Sequence, residues 1–156
     1  MNGEIFYGAA YKGSKQYTQQ EVRTASATGF GAATDDYAER GIDLNEQLVR
    51  NKPATFFMRV NGDAMIGAGI FDGDVVIVDR SLKPVSGKVI IATLNGEMLI
   101  RRLEKILNKV RLVPETTKLS PIEVGEFSDC KIWGVVTCVI RMVDSSLQSF
   151  KNNSVH

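Results

Sequence analysis

The sequence has few of the residues that bind metals or cross-link chains. Its 156 residues include two cysteines, Cys130 and Cys138, and one histidine, His156. A zinc site takes three or four His, Cys or carboxylate ligands, so we expect no metal and no other cofactor. Both cysteines lie in or beside the apolar segment 132–143, which predicts small, buried thiols in a reducing cytoplasm.

Long hydrophobic runs and an excess of either charge are also missing. No segment approaches the ~20 apolar residues that span a bilayer, and the first 20 residues lack the apolar centre of a signal peptide. We therefore expect a cytoplasmic protein with no membrane contact. The formal net charge is +1, which provides no bulk attraction to nucleic acid, so sequence-specific DNA binding is not expected.

Large apolar side chains are scarce at the start of the chain. Residues 1–34 contain mainly Gly, Ala, Ser, Thr and Gln, and such a segment buries too little surface to form its own core. We predict a flexible N-terminal arm over 1–34, a folded domain over 35–145 and a disordered tail over 146–156.

The domain has the periodicity of β-structure. A short helix is predicted over 35–40, where acidic residues come first and Gly41 follows the last residue. A second is predicted over 42–49, where apolar residues recur at helical spacing. The sequence pattern then changes to that of strands, at 55–60, 74–79, 88–94, 97–103, 109–113 and 131–140. Asn95-Gly96 is a strong signal for a tight hairpin. Short strands separated by turn signals predict a compact, mostly β, barrel-like domain.

Three aspartates near the second strand could suggest a calcium loop. Asp72, Asp74 and Asp79 lack the regular spacing and the closing glutamate of an EF-hand. Turn formation is the favoured interpretation of these residues, and no metal ligands are assigned.

One turn and one strand combine into a more informative pattern. The turn Gly62-Asp63-Ala64-Met65 follows a predicted strand, and Arg101 lies within the strand 97–103. Taken alone, the turn could be an ordinary connection and Arg101 part of a solvated strand face. The order and spacing of several motifs together indicate that the turn and the strand belong to a functional pattern.

Together these motifs resemble the LexA/UmuD family of self-cleaving peptidases, and within it the UmuD branch most closely. The resemblance runs from about residue 28 to 143. It rests on these segments: Gly62-Asp63-Ala64-Met65, Asp72-Gly73-Asp74, Ile77-Val78-Asp79, Arg101-Arg102-Leu103, Trp133-Gly134-Val135-Val136 and the link around Tyr37, Ile42-Asp43-Leu44-Asn45 and Pro53-Ala54-Thr55. It implies a LexA/UmuD-type C-terminal domain, barrel-like and mostly β, with short helices.

The resemblance also implies a mechanism and its positions. In this family a serine attacks the protein's own arm, and a buried, neutral lysine takes the hydroxyl proton. The serine position is Ala64 here, and the lysine position is Arg101. The bond that matches the cleavage site is Thr28–Gly29.

Both substitutions remove the chemistry. Alanine has no hydroxyl, so no acyl intermediate can form at position 64. Arginine keeps its proton at any accessible pH, so Arg101 cannot be the general base. Neighbouring Arg102 has the same defect. We therefore predict that the chain is inactive as a peptidase.

Two origins of these substitutions remain open. Ala64 could be an engineered change, in which case the biological protein is an active self-cleaving serine peptidase. Alternatively, the protein is a natural pseudopeptidase that has lost both groups. Arg101 favours the second, because one change would have been enough to stop cleavage.

The implied function is that of an interaction protein in SOS mutagenesis. A UmuD-like homodimer would act as the accessory subunit of a UmuC-like, error-prone translesion polymerase. RecA filaments and the polymerase sliding clamp are further partners that the resemblance implies. The alternative from a different class is a LexA-like transcriptional regulator of the DNA-damage response.

We also expect a constraint on Arg101. A buried guanidinium without an acidic partner is costly. Arg101 should therefore point to solvent or pair with a carboxylate, and Asp63 and Glu97 are the candidates.

Overall fold

The computed structural model describes residues 5–10, 22–23, 41–144 and 146. Ten strands and one α-helix lie in these ranges. They are β1 (Ile5–Ala10), β2 (Val22–Arg23), β3 (Gly41–Ile42), α1 (Leu44–Leu48), β4 (Thr55–Val60), β5 (Val75–Asp79), β6 (Val89–Leu94), β7 (Glu97–Ile106), β8 (Lys109–Val113), β9 (Ile122–Val124) and β10 (Cys130–Ile140). Short 3₁₀ turns cover Lys52–Ala54 and Ile66–Ala68. The prediction of a mostly β fold is confirmed.

Eight strands form one antiparallel sheet in the order β1-β4-β5-β10-β6-β7-β8-β9. The longest strand, β10, is central and pairs with β5 on one side and β6 on the other. Its register shifts between Ile132 and Gly134 and again between Val136 and Cys138. Such bulges bend a strand and increase its twist, which helps this sheet to curl.

Two apolar clusters form the core. The first contains nine buried residues: Met58, Val60, Ala64, Met65, Ile70, Val76, Val78, Ile91 and Ile100. The second lies towards β8: Ile90, Ala92, Leu103, Leu112 and Val135. Because Ile90 and Ile91 are sequence neighbours in β6, they face opposite sides of the strand and separate the two clusters.

Local sequence explains most of the predicted elements. Asp43 caps α1, and its carboxylate accepts hydrogen bonds from the N–H groups of Asn45 (3.0 Å) and Glu46 (3.4 Å). The Asn95-Gly96 hairpin joins β6 to β7, and both residues have the positive φ that this turn needs, 50° and 84°. The six predicted strands are confirmed, and β7 extends three residues beyond its predicted end.

Other elements were not predicted. The strand β9 is only three residues long, and β1 lies within the predicted arm. The backbone of β1 pairs with β4, with Ile5 opposite Val60 and Tyr7 opposite Met58, and β1 also approaches β7. The helix predicted over 35–40 lies outside the described residues. The boundaries proposed for arm, domain and tail stay predictions.

Gly134 of β10 packs closely against β5. A Cβ atom at this position would lie 2.6 Å from Cγ1 of Val78, and Val78 is fully buried. We expect Gly134→Ala to lower the free energy of unfolding by about 2 kcal/mol, the usual cost of overpacking. Urea denaturation followed by Trp133 fluorescence measures this change.

Gly125→Ala is the matched control for Gly134→Ala. Its Cβ would meet Oγ of Ser128 at an ordinary contact distance of 3.7 Å. If both variants unfold at the same urea concentration, close packing at Gly134 is not the reason for the glycine.

Candidate functional site

The turn that carries Ala64 is held against the end of β4 and the approach to β5. Gly62 has a φ of 107°, a conformation that L side chains rarely adopt. Its N–H donates to Oδ1 of Asp72 at 2.7 Å. The N–H of Val60 donates to the carbonyl of Asp74 at 2.8 Å, and the N–H of Gly73 donates to the carbonyl of Val60 at 2.9 Å. The turn therefore has a fixed conformation.

Ala64 is 4% exposed and belongs to the first apolar cluster. Its carbonyl accepts a hydrogen bond from the N–H of Glu115 at 2.8 Å, and the N–H of Gly67 donates to the carbonyl of Glu115 at 2.8 Å. A Cβ on Gly67 would lie 2.7 Å from that carbonyl oxygen, so only glycine allows this approach. The methyl group of Ala64 provides no nucleophile.

Glu115 connects this turn to β7. Its carboxylate pairs with Nε of Arg102, and both side chains are about one-third exposed. Arg102 also donates from Nη1 to the carbonyl of Gly87 at 2.7 Å. The backbone of Glu115 thus holds the Ala64 turn, and its side chain holds the strand that contains Arg101.

Arg101 is buried, at 4% exposure, so the first of the two expected alternatives, that it points to solvent, is wrong. Its Nη1 donates to the carbonyl of Ile100 at 2.8 Å. In the sheet it lies opposite Ile90, a residue of the second cluster. Pairing of Arg101 with a carboxylate stays a prediction.

Neighbouring residues of β7 face opposite ways. Ile100 belongs to the cluster of Ala64, and Arg102 lies on the side of Ile100. Arg101 lies on the side of Leu103, which belongs to the second cluster. The contact that joins the Ala64 turn to β7 therefore runs through Arg102. The catalytic pairing of positions 64 and 101 stays a prediction drawn from the resemblance.

A second ion pair holds the loop between the Ala64 turn and β5. Asp74 is 2% exposed. Its Oδ1 accepts from Nε of Arg141 at 2.6 Å, and its Oδ2 accepts from Nη2 of Arg141 at 2.5 Å and from the N–H of Phe71 at 2.7 Å. The guanidinium also lies 4.2 Å from the ring centre of Phe71. The hydrogen bond to Asp74 raises the pKa of Arg141 further above its ordinary value, against an opposing effect of burial.

The sequence did not identify three parts of this site: Glu115, Arg102 and the Asp74–Arg141 pair. Glu115 follows the alternating strand 109–113, but nothing in that spacing indicates a partner in β7. Asp74 and Arg141 are 67 residues apart. Only the fold brings such pairs together.

The aspartates near β5 form turns. Asp72 accepts from the N–H of Gly62, Asp74 from that of Phe71, and Asp79 from the N–H (2.8 Å) and the hydroxyl (2.5 Å) of Ser81. These contacts support turn formation over a calcium loop. Within the described part of the chain, no group of three or more His, Cys, Asp or Glu residues could hold a metal ion.

The Cys130 thiol is a poor candidate for a replacement nucleophile. Cys130 and Cys138 are free and half-buried. Burial, and secondarily the negative charge of Asp129, raises the pKa of the Cys130 thiol above its ordinary value. A raised pKa leaves less of the reactive thiolate at neutral pH.

Thr28 and Gly29, the predicted cleavage site, lie outside the described residues. Among the residues that the structure describes, no helix is long and apolar enough to cross a bilayer.

The chain is similar to known proteins over most of its length. Residues 20–137 match the family described as Peptidase S24-like. The chain is 36% identical over 133 residues to Protein ImpA of Escherichia coli, an alignment that covers 83% of the chain and 88% of ImpA. It is 35% identical over 118 residues to Protein SamA of Salmonella typhimurium, covering 76% of the chain and 81% of SamA. LexA repressor 1 of Xanthomonas axonopodis pv. citri is 36% identical over 115 residues, covering 74% of the chain and 57% of the repressor.

Proposed function

Because the chain belongs to the Peptidase S24-like family, the family of the LexA and UmuD proteins, we propose that it is a UmuD-like SOS mutagenesis protein that acts without cutting itself. Its role is that of an accessory subunit of a UmuC-like translesion polymerase. The observation that carries the proposal is a buried alanine, Ala64, on a turn whose conformation is held by hydrogen bonds.

The contacts around the turn support retention of the framework. A turn without any role would not need backbone hydrogen bonds and close contacts to hold one conformation. Here Gly62 keeps a left-handed conformation, Gly67 keeps a close approach to Glu115, and Glu115 keeps its pair with Arg102. These features hold the shape of the turn in the absence of a nucleophile, which supports a role that does not require self-cleavage.

The extent of similarity supports the UmuD-like role over the regulator role. The alignment covers 88% of ImpA but 57% of the LexA repressor. The near-zero net charge of the chain gives no electrostatic footprint for operator binding. Tight, sequence-specific binding of duplex DNA at physiological salt would favour the regulator instead.

The direct test is binding of the full chain to a purified UmuC-like polymerase from the same genome. We expect a stable complex in size-exclusion chromatography, with the chain as a homodimer. RecA filaments and the sliding clamp are the other partners to test. The absence of any complex with the polymerase would refute the accessory role.

A further inference from the structure

The hairpin between β7 and β8 ends in an exposed apolar tip, residues Lys105 to Lys109. All five residues, Lys105-Ile106-Leu107-Asn108-Lys109, are exposed. Leu107 is 98% exposed and Ile106 is 52% exposed. Single exposed leucines are common on protein surfaces, so exposure alone indicates nothing.

The backbone of Leu107 makes the tip unusual. Its φ is 54°, in the left-handed region that disfavours residues with a Cβ. The tight hairpin between β6 and β7 has Asn95 and Gly96 at its turn, the residue types that tolerate this conformation. Leu107 has the same constraint without a tolerant side chain and, at 98% exposure, gains no packing in return. Backbone outliers of this kind concentrate at functional positions.

The charges around the tip indicate what kind of partner surface would fit it. Past Lys109, the next cation of β8 is Arg111, which pairs with Glu104 at 3.6 Å and lies opposite Glu123 of β9. The lysines at 105 and 109 therefore carry the local positive charge. A convex apolar tip between two cations fits a concave apolar pocket with carboxylates on its rim.

Nucleic acid fits this tip less well than a protein does. Proteins that bind DNA through phosphates typically neutralise about 6–10 of them, and the tip offers two lysines. A protruding apolar side chain with charged groups at its edge fits a protein–protein interface, which has an apolar centre and a polar rim.

We infer that this tip is the part of the chain that contacts the polymerase, with Leu107 inserted into an apolar pocket rimmed by carboxylates. The inference rests on the proposed function, because the polymerase is the partner. The strained leucine is then retained for binding, although it weakens the hairpin.

The test is the Leu107→Asn variant of the full chain. Asparagine tolerates positive φ, so we expect the variant to be at least as stable as the parent in urea. We expect its affinity for the purified UmuC-like polymerase, measured by isothermal titration calorimetry, to fall at least about tenfold, as for a residue at the centre of an interface. If Leu107 had a purely structural role, the variant would change in stability and its affinity for the polymerase would be unchanged.

Leu119→Asn is the matched control. Leu119 is 44% exposed and lies in the loop after β8, at the other end of that strand from the tip. It should leave the affinity unchanged. The pair Lys105→Ala and Lys109→Ala should weaken binding and make it less sensitive to salt, because two screened attractions are lost.

The outcomes separate the two proposals. If the parent chain does not bind the polymerase, the proposed function and this inference both fail. If the parent binds and Leu107→Asn binds equally well, the proposed function stands and the inference is wrong. Loss of the homodimer in Leu107→Asn, or displacement of the polymerase from the tip by single-stranded DNA, would also overturn it.

Discussion

The double variant Ala64→Ser with Arg101→Lys is expected to cut itself between Thr28 and Gly29. The two changes restore a hydroxyl and a base that can lose its proton. The Ala64 turn needs no rebuilding, because its backbone is already fixed by Gly62, Asp72 and Glu115. We expect the cleavage rate to rise at least about 1,000-fold over the parent chain, given the effect of removing one catalytic group from a serine peptidase.

Single variants are the controls for restoration. Ala64→Ser alone has a nucleophile and no base, since arginine stays protonated. Arg101→Lys alone has a base and no nucleophile. Both should remain intact on a denaturing gel under conditions in which the double variant is cut. Cleavage by either single variant would show that positions 64 and 101 are not the matching pair.

The restored reaction should depend on pH in one direction. The base must be neutral to accept the serine proton, and burial lowers the pKa of a lysine. The cleavage rate should therefore rise as pH increases through the pKa of the introduced lysine, and then level off. A rate that falls over this range would indicate a different base. Intact mass spectrometry across a pH series measures the profile.

Asp74→Asn is expected to destabilise the fold strongly, and more than Gly134→Ala does. Asp74 is 2% exposed and accepts hydrogen bonds from Arg141 and from the N–H of Phe71. The substitution removes the charge of a buried carboxylate, whose partner Arg141 is 43% exposed, and it places an amide donor next to a guanidinium. We expect the free energy of unfolding to fall by about 3 kcal/mol, because hydrogen bonds to a charged group contribute about 1.5–3 kcal/mol, and urea denaturation measures the loss.

Glu104→Gln is the matched control for Asp74→Asn. Glu104 also pairs with an arginine, Arg111, but at 3.6 Å and with about a third of each side chain exposed. Partly exposed pairs contribute about 0–1 kcal/mol, so this variant should unfold close to the parent. Equal losses in both variants would mean that burial of Asp74 is not what makes its pair important.

The fold was largely predictable from sequence because its strands carry strong local signals. The run Val75–Asp79 is rich in β-branched residues and fully buried, and Asn95-Gly96 specifies its turn without help from the rest of the chain. The strand β9 could not be predicted in the same way. Its three residues are defined by pairing with β8, which no local pattern indicates.

The parts of the site that depend on neighbouring residues were predictable from the sequence. The parts that depend on contacts between distant elements were not. The turn at 62–65 and the strand position of Arg101 follow from sequence order and spacing. The burial of Arg101 and the role of Glu115 do not, because both depend on contacts between distant elements. From the sequence, Arg102 is only a residue that cannot act as a base. In the structure it connects β7 to the Ala64 turn through Glu115.

A peptidase framework that persists without peptidase chemistry is the central claim about this protein. Its most direct test is to incubate the parent chain with RecA, nucleotide and single-stranded DNA, and to measure its intact mass over time. We predict that the full-length mass persists, while the Ala64→Ser, Arg101→Lys variant in the same reaction yields a fragment that begins at Gly29. A parent chain cut after Thr28 would contradict the claim.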